Sequence, residues 1–320
     1  MMPYFFSIII PVYNRPEELD ELLKCIQSQT YTNFEVLIVE DGSTLKCDQI
    51  VEKYKTSFKV AYFFKENAGQ GFARNYGLER ANGDFFIILD SDALLEPNYL
   101  DIVSKEINKQ NLDLFGGPDR DHISFTPIQK AISYAMTSPF TTGGIRGSKQ
   151  NLGGKFHPRS FNMGFSKKLF EKIGGFKITR MGEDIEFSIR AINAGFTSGL
   201  IPDAFIYHKR RTSFSQFYKQ LFFFGRARIN IARFFPNELK VVHYFPAIFT
   251  LGFIIMWLLP FFLPQLFGLA FALFVFYLMI IFADSFRKNK SFKVAFLSIF
   301  ASFIQLTAYG LGFMKEKFFS

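Results

Sequence analysis

A stretch of about 40 residues without a charged side chain, residues 244–283, constrains the fold of this chain more than any other feature. A helix needs about 20 apolar residues to cross a membrane, so this stretch predicts two crossings. Pro260 and Pro264 interrupt it near the middle, where a tight turn would join the two helices. A third uncharged stretch, residues 294–314, is also long enough to cross, so we expect two to three transmembrane helices within residues 244–314.

A short basic run between the second and third stretches, residues 287–293, indicates the orientation. Short loops rich in Lys and Arg remain in the cytoplasm. The N-terminal part of the chain, an even number of crossings away, is then cytoplasmic as well. We therefore expect a multi-pass protein of the inner (cytoplasmic) membrane whose N-terminal domain faces the cytoplasm. A third crossing would carry Lys315 and Lys317 of the tail, residues 315–320, to the outside, which conflicts with the same rule.

A basic and aromatic segment, residues 209–243, precedes the first uncharged stretch. The net charge of +9 is uneven, and eight Lys or Arg residues fall between residues 205 and 240 against Glu238 alone. Such a segment beside a membrane helix is typical of an amphipathic element resting on anionic lipid, and its position argues against nucleic acid as the partner. Three basic residues recur every seven positions and share one side of a helix, while three apolar residues can turn toward lipid: Lys219, Arg226 and Arg233, and Phe222, Phe223 and Ile229.

Short apolar runs alternate with helical patterns in the N-terminal part of the chain. The apolar runs have the length of strands and occupy residues 5–12, 34–39, 60–64 and 85–89. Strands that alternate with helices at short spacing predict an α/β domain with a mainly parallel sheet covered on both faces. The pattern weakens after residue 119, and we predict a mobile loop near the ligand over residues 143–155, which is rich in Gly and basic residues.

Two carboxylates, Asp90 and Asp92, end the apolar run at residues 85–89. Open α/β sheets bind their ligands beyond the carboxyl ends of the strands. Carboxylates this close repel each other unless a cation or hydrogen-bond donors share the site. A hard divalent cation that also binds phosphate oxygens would satisfy them. On these two residues alone, a polar turn explains the pattern equally well.

Five short motifs follow predicted strands or open predicted helices. In chain order they are Pro11-Val12-Tyr13-Asn14, Glu40-Asp41-Gly42-Ser43, Asn67-Ala68-Gly69 with Ala73-Arg74-Asn75, Asp90-Ser91-Asp92, and Gly182-Glu183-Asp184. Together they resemble the family 2 glycosyltransferases, which are inverting enzymes of the GT-A fold. The resemblance covers roughly residues 5–235. It implies a GT-A type nucleotide-binding domain over residues 1–208, with a mainly parallel mixed sheet, followed by C-terminal transmembrane helices as in bacterial members.

The resemblance also implies a binding site for a nucleotide-diphosphate sugar. In the family, an aromatic residue at the position of Tyr13 stacks on the base, and the aspartate at Asp41 accepts a hydrogen bond from the ring N–H. A simple turn is the alternative for Asp41, Gly42 and Ser43, and an exposed helical arginine is the alternative for Arg74. The residues carried over to this site are Pro11, Tyr13, Asn14, Asp41, Gly42, Ser43, Asn67, Gly69, Arg74 and Asp90.

A metal site for Mg²⁺ or Mn²⁺ is the next implication of the resemblance. Asp92 corresponds to the metal-binding member of the aspartate pair, and Asp90 to a residue that reaches the ribose or the metal. Related enzymes often place a histidine at the position of His208, where it contacts the metal or the diphosphate. A surface histidine in a basic loop is the equal alternative for His208.

The catalytic base implied by the family is the aspartate of the Glu-Asp pair, here Asp184, with Glu183 orienting the site. Asp184 opens a predicted helix, so on the sequence alone a helix-capping role is the stronger interpretation. Asn162 corresponds to an acceptor-side position in the family. A buried amide that supports a loop is the alternative for Asn162.

The function implied is inverting transfer of a sugar to an acceptor hydroxyl, held at the membrane on a lipid-linked saccharide used for cell-surface polysaccharide. The Gln-x-x-Arg-Trp motif of processive synthases is missing, which favours one transfer per encounter. Transfer to a polyprenyl phosphate is the closest alternative, because a phosphate nucleophile needs little help from a base. A non-catalytic membrane protein that binds nucleotide sugars is the alternative of another class. Sugar-phosphate nucleotidyl transfer is disfavoured because no Gly-rich loop follows the first predicted strand.

Overall fold

The structure is a computed structural model that describes residues 3–120, 122, 124–142 and 156–319. The chain divides into two compact units, residues 1–120 with 149–208, and residues 121–148 with 209–320. The described residues 122 and 124–142 thus group with the second unit, whereas the sequence groups them with the domain at 1–208. The loop predicted at 143–155 lies outside the described residues.

The strands of the first unit are numbered in chain order and form two sheets. The larger sheet has the order β3-β2-β1-β4-β8-β6-β9, and the smaller has the order β5-β10-β7. The strands are β1 (Phe6–Val12), β2 (Phe34–Asp41), β3 (Lys59–Lys65), β4 (Phe85–Leu89), β5 (Ala93–Leu95), β6 (Leu114–Gly116), β7 (Asp119–Arg120), β8 (Asn162–Ser166), β9 (Ser198–Leu200) and β10 (Ile206–His208).

Six of the described helices belong to the first unit and six to the second. Those of the first unit are α1 (Pro16–Gln27), α2 (Asp48–Glu52), α3 (Gln70–Leu78), α4 (Tyr99–Gln110), α7 (Lys167–Ile173) and α8 (Glu183–Asn193). Those of the second are α5 (Pro127–Thr137), α6 (Pro139–Thr142), α9 (Phe214–Phe234), α10 (Phe245–Phe262), α11 (Pro264–Asn289) and α12 (Phe292–Phe318).

The larger sheet is mixed but mainly parallel, as the sequence predicts. Strands β1, β2, β3 and β4 pair in parallel, and β8 runs antiparallel to β4. The carboxyl ends of β1, β2 and β4 therefore meet at one edge of the sheet, together with the first residue of β8, since Asn162 pairs with Leu89. This edge collects the polar residues that follow each strand.

The core of the first unit lies on both faces of this sheet. All five residues of β4 are buried, and they alternate between two apolar clusters, with Ile87 on one face and Ile88 on the other. Burying such a side chain stabilises the fold by about 1.5–3 kcal/mol. A strand buried on both faces has no room for polar side chains, so the carboxylates can follow only after Leu89.

The second unit contains the uncharged stretches. Among the described residues, three helices are long and apolar enough to cross a membrane, at Val241–Phe262, Pro264–Asn289 and Phe292–Phe318. The break between α10 and α11 falls at Leu263, between the two prolines that predict it.

Helix α9 buries one of the three apolar residues that the sequence expects to turn toward lipid, while Phe222 and Phe223 are partly buried. Ile229 is buried against Ala247 and Phe313, so its predicted exposure is wrong. The reason is that α9 packs along α12, which the amphipathic pattern of a single helix cannot reveal.

Two of the basic residues of α9 form ion pairs within the protein. Arg226 and Arg233 lie 2.8 and 3.0 Å from the carboxylate of Glu316, which is itself buried. Helix α12 continues to Phe318, so it includes Glu316 and most of the residues expected to form a tail.

Candidate active site

The small sheet brings His208 to the aspartate pair. Strand β10 runs antiparallel to β5, and His208 pairs with Ala93, one residue after Asp92. The His208 Nε2 lies 2.9 Å from Asp92 Oδ1 and 4.0 Å from Asp90 Oδ2. The His208 ring also stacks on Phe161, with ring centroids 5.1 Å apart. The structure thus brings together two carboxylates and an imidazole with a supported ring.

These three side chains fit a divalent cation. One ligand atom from each lies within 4.8 Å of the other two. Asp92 Oδ1 is buried and, within the described residues, accepts no well-aligned hydrogen bond, although the His208 ring is close. Two hard carboxylates with one imidazole suit Mg²⁺ or Mn²⁺. Asp90, Asp92 and His208 could therefore hold the ion that the sequence predicts.

Arg15 donates a hydrogen bond from Nη1 to Asp92 Oδ2. Burial favours the neutral form of Asp92, but the charges of His208 and Arg15 outweigh burial and hold the pKa of its carboxyl below the usual range. Asp92 is therefore an anion whose charge is balanced by neighbouring positive groups.

Arg74 connects the aspartate pair to the Glu-Asp pair. Its Nη2 lies 3.1 Å from Asp90 Oδ1 and its Nη1 lies 3.0 Å from Glu183 Oε1. The side chain has no exposed area, so the alternative of an exposed helical arginine is wrong. A buried guanidinium with two carboxylate partners fixes both in position, because a lost partner would leave a buried charge.

Glu183 lies in the first turn of α8 and is held by two side chains of α3. It accepts hydrogen bonds from Arg74 and from the side-chain amide of Gln70. Burial raises the pKa of Glu183, and the Arg74 charge only partly opposes that effect. Glu183 is thus a buried, paired carboxyl, which suits an orienting role.

Asp184 has a more open environment than Glu183. Its side chain keeps 15% exposure, and Arg159 Nη1 lies 3.9 Å from its Oδ1. Asp184 Oδ2 accepts a hydrogen bond from the Ser160 N–H at 3.3 Å, and Oδ1 accepts one from the N–H of Ile185. Gly182 occupies the N-cap position of α8, so Asp184 lies inside the first turn and does not cap the helix.

Asp41 lies at the carboxyl end of β2, and its carboxylate binds the protein itself. Its two oxygens accept hydrogen bonds from the N–H groups of Ala68 and Gly69, at 2.9 and 2.8 Å, and from Lys65 Nζ at 2.7 Å. Asn67 Nδ2 donates to the Asp41 carbonyl at 2.7 Å. Asp41 therefore shapes the loop over residues 65–69, a role that the motif did not predict.

Asn14 joins the loops that follow β1 and β2. Its Oδ1 accepts hydrogen bonds from the N–H groups of Thr44 and Leu45, and its own N–H donates to Ser43 Oγ at 2.8 Å. Asn14 has a φ of +53°, a conformation that asparagine tolerates better than most residues. Next to it, Tyr13 is 53% exposed, so its ring is available for stacking.

The carboxyl edge of the larger sheet also includes Gly42, Gly69 and Pro11. Gly42 has a φ of +75°, and a Cβ there would lie 2.7 Å from the N atom of Asn67. Only glycine therefore allows the loops after β2 and β3 to approach this closely. Gly69 immediately precedes α3, and Pro11 lies within β1.

Asn162 is the first residue of β8, and its side chain makes hydrogen bonds within the protein. It has no exposed area, its Oδ1 accepts from the Tyr99 hydroxyl at 2.6 Å, and its Nδ2 donates to the Ala204 carbonyl at 2.8 Å. The structure supports the alternative, a buried amide that supports a loop, because a buried amide must be hydrogen-bonded within the protein.

Four residues of the site escaped the sequence analysis: Arg15, Gln70, Arg159 and Phe161. Arg15 directly follows the first motif. A basic residue at that position could have been recognised in the sequence as a partner for the carboxylates predicted at the same edge of the sheet. The other three approach the site through contacts between residues far apart in the sequence, which no local pattern encodes.

A comparison with protein families gives a match to the glycosyl transferase family 2 over residues 7–174. A related sequence is the glycosyltransferase AglE of Haloferax volcanii, 27% identical over 266 residues that cover 82% of each chain. Another is an uncharacterized glycosyltransferase of Haemophilus influenzae, 30% identical over 65% of this chain and 70% of the relative. Other relatives are longer, and the chain spans 15% of an uncharacterized glycosyltransferase of Rickettsia bellii.

Two solved structures share the fold. The mannosyltransferase PcManGT of Pyrobaculum calidifontis, in complex with GDP-Man and Mn²⁺, is 18% identical and has a TM-score of 0.61 over 95% of this chain and 88% of that one. Residues 1–349 of Staphylococcus aureus TarS are 22% identical, with a TM-score of 0.50 over 70% of this chain and 65% of that one. At these identities the likeness concerns the GT-A type fold.

Proposed function

This chain belongs to glycosyl transferase family 2, and from that premise we propose that it transfers a sugar from a nucleotide-diphosphate donor to an acceptor hydroxyl, with inversion. The observation that carries the proposal is the chain of contacts through Arg74. This residue joins Asp90, one of the proposed cation-binding carboxylates, to Glu183 in the helix turn that bears Asp184. Donor activation and acceptor deprotonation would thus share one rigid support.

The donor side rests on Asp90, Asp92 and His208, which would hold Mg²⁺ or Mn²⁺. The ion would supply positive charge that stabilises the departing nucleoside diphosphate. Tyr13 offers an exposed ring for stacking on the base, beside the loop that Asp41 shapes. The solved relatives bound to GDP-Man with Mn²⁺, or to UDP-GlcNAc, support a nucleotide sugar as the donor.

The acceptor side rests on Asp184 as the general base. As the acceptor oxygen forms its bond to the anomeric carbon, the bond from that carbon to the diphosphate breaks, and the hydroxyl proton passes to Asp184. Attack opposite the leaving group inverts the configuration at that carbon. Glu183 and Arg74 act as positioning residues that hold the first turn of α8.

The acceptor is proposed to be a lipid-linked saccharide used in cell-surface polysaccharide synthesis. The apolar helices α10 and α11 and the basic helix α9 support a location at the inner membrane. There the catalytic unit would face the cytoplasm, where nucleotide sugars are made. An acceptor anchored in lipid would be concentrated at the same surface.

The first experiment measures donor binding by thermal stabilisation, with a panel of nucleotide sugars in the presence and absence of Mn²⁺. A ligand at 100 times its dissociation constant stabilises a fold by about 2.7 kcal/mol, which is readily detected. We expect one donor to give a shift that requires Mn²⁺. A panel without any shift would contradict the proposal.

The second experiment uses that donor and compares Asp184→Asn with wild type. We expect transfer to fall by about 10²–10⁴-fold, the usual contribution of a general base, with donor binding unchanged. Asp203→Asn, an exposed aspartate of the same unit, is the matched control and should retain full turnover. Normal turnover in Asp184→Asn would instead favour a polyprenyl phosphate as the acceptor, because that nucleophile needs no base.

A further inference from the structure

Helices α10 and α11 form an antiparallel hairpin. The ring contacts run in opposite directions along the two helices. Phe249, early in α10, lies 5.9 Å from Tyr277 at the middle of α11, and Trp257, late in α10, lies 6.1 Å from Phe267 at the start of α11. The connecting turn at Leu263 marks one end of the hairpin. The start of α10 and the last turns of α11 therefore lie at the other end, which we call the base.

The first turns of α12 lie at this base. The rings of Phe292 and Phe286 are 4.5 Å apart, and the Oγ atoms of Ser298 and Ser285 are within 2.7 Å. Phe286 and Ser285 belong to the last turns of α11. These contacts alone do not distinguish the two arrangements, because a short connection between α11 and α12 would produce them whether or not α12 crosses the membrane.

The last turns of α12 lie at the base as well. The ring of Phe313 is 5.1 Å from that of Tyr244, and Lys317 Nζ donates a hydrogen bond to the Tyr244 hydroxyl at 3.2 Å. A Cβ on Gly310 would lie 2.4 Å from the Pro246 carbonyl oxygen, so the two backbones touch. A third crossing would instead bring these turns near Leu263, at the opposite end of the hairpin.

From these contacts we propose that only α10 and α11 cross the membrane, and that α12 lies across their base among the lipid headgroups of one leaflet. Positions 298 and 310 are about 18 Å apart along a helix, a distance that crosses two packed helices. The C-terminus then lies on the same side as the basic run at 287–293. The conflict between Lys315, Lys317 and the rule for basic loops disappears.

The burial of α12 gives independent support. In the most apolar part of each helix, 50% of the residues of α12 are buried, against 17% for α10 and 6% for α11. The large apolar side chains that α12 leaves exposed include Phe292, Phe296 and Phe300, spaced four residues apart on one side. One exposed apolar stripe is the pattern of a helix that lies in the membrane surface with its stripe toward the acyl chains.

Helix α9 packs against α12 and carries charged residues that a third crossing would move into or across the bilayer. The second half of α9 lies against the end of α12, where Arg226 and Arg233 pair with Glu316. Arg228 lies between them in the sequence. If α12 crossed, this cluster of charges would have to sit in the hydrocarbon or on the far side, and moving such charges into the bilayer is costly. With α12 at the base, the cluster can remain among anionic headgroups.

The test is cysteine labelling of the full chain in membrane vesicles of both orientations, after Cys25 and Cys47 are replaced by alanine. New cysteines mark the turn, the basic run and the C-terminus: Leu263→Cys, Lys290→Cys and Phe319→Cys. With a membrane-impermeant maleimide, we expect Phe319→Cys and Lys290→Cys to label from one face and Leu263→Cys from the other. Labelling of Phe319→Cys from the face of Leu263→Cys overturns the proposal.

A second measurement keeps the proposal testable if the cysteine-free chain does not fold. The last strand of split fluorescent protein is fused to the C-terminus of the otherwise wild-type chain. We expect fluorescence when the complementary fragment is made in the cytoplasm, the side expected of the basic run. Fluorescence only with a fragment exported across the membrane would contradict the proposal.

Discussion

Arg74 and Glu183 form an ion pair of 3.0 Å between two side chains that are each at least 96% buried. The pair ties α3, which follows β3 along the chain, to the first turn of α8, where Asp184 is the next residue. Buried pairs of this kind contribute little net stability, yet removing one partner is costly because the other charge is left without compensation. The pair therefore determines the position of the proposed base more than the overall stability.

Arg74→Met should destabilise the protein by about 3–5 kcal/mol, since it leaves the Glu183 carboxylate buried without a cationic partner. The measurement is the free energy of unfolding, followed by denaturant titration in detergent. Arg80→Met is the control, because the ion pair of Arg80 with Glu79 is largely exposed and should be worth less than about 1 kcal/mol. Equal losses in the two variants would contradict the structural role of Arg74.

Arg15→Gln should increase the affinity for Mn²⁺ in the absence of donor by about tenfold. The guanidinium of Arg15 binds Asp92 Oδ2, and a charged hydrogen bond of about 1.5 kcal/mol competes with a cation for that carboxylate. The measurement is calorimetric titration of purified protein with Mn²⁺. Lys24→Gln removes one positive charge from the same helix region and should leave the affinity unchanged; a matching increase there would point to a general charge effect.

Gly42→Ala should destabilise the protein more than Gly195→Ala, although both glycines have a positive φ, +75° and +88°. An alanine at a positive φ has a backbone penalty of about 1 kcal/mol, and this penalty applies at both positions. Only at Gly42 would the new Cβ also meet the backbone of Asn67, while open space surrounds the position at Gly195. Thermal unfolding of the two variants isolates the cost of this close approach. We also expect Gly42→Ala alone to weaken donor binding.

Cys47 should make the protein sensitive to alkali. Burial, assisted by the nearby carboxylate of Glu40, raises the pKa of the Cys47 thiol to about 12. A folded pKa above the unfolded value of about 8.5 means that the neutral thiol stabilises the folded state fully below that pH. This contribution is lost as the pH rises toward 12.

The corresponding measurement compares the fall in thermal midpoint between pH 8 and pH 10.5 for wild type and Cys47→Ala. We expect a smaller fall in the variant, because it has no thiol to ionise. The backbone N–H of residue 47 still donates to Glu40 in the variant, so that contact is preserved. Parallel falls in both proteins would exclude a contribution from Cys47.

The local sequence pattern was sufficient to predict structure where the environment of a residue depends on its near neighbours in the chain. The run at 85–89 is apolar because β4 is buried on both faces, and the motifs at the ends of β1, β2 and β4 meet because parallel strands share a carboxyl edge. The sequence also contains a helix-start pattern for α5 that we did not interpret. Thr126 and Gln129 form a capping box, and Pro127 is the first residue of the helix. Such features depend on neighbours a few residues away, so a single chain displays them.

What the sequence by itself determined is the α/β domain, the aspartate pair with His208 as metal candidates, and the hairpin marked by Pro260 and Pro264. Only the tertiary structure decided that Arg74 is buried between Asp90 and Glu183, that Asn162 supports a loop, and that both ends of α12 reach the base of the hairpin. Apolar length permits a helix to cross a membrane, but contacts between residues far apart in the chain determine where it lies, because packing energy depends on partners that periodicity does not identify.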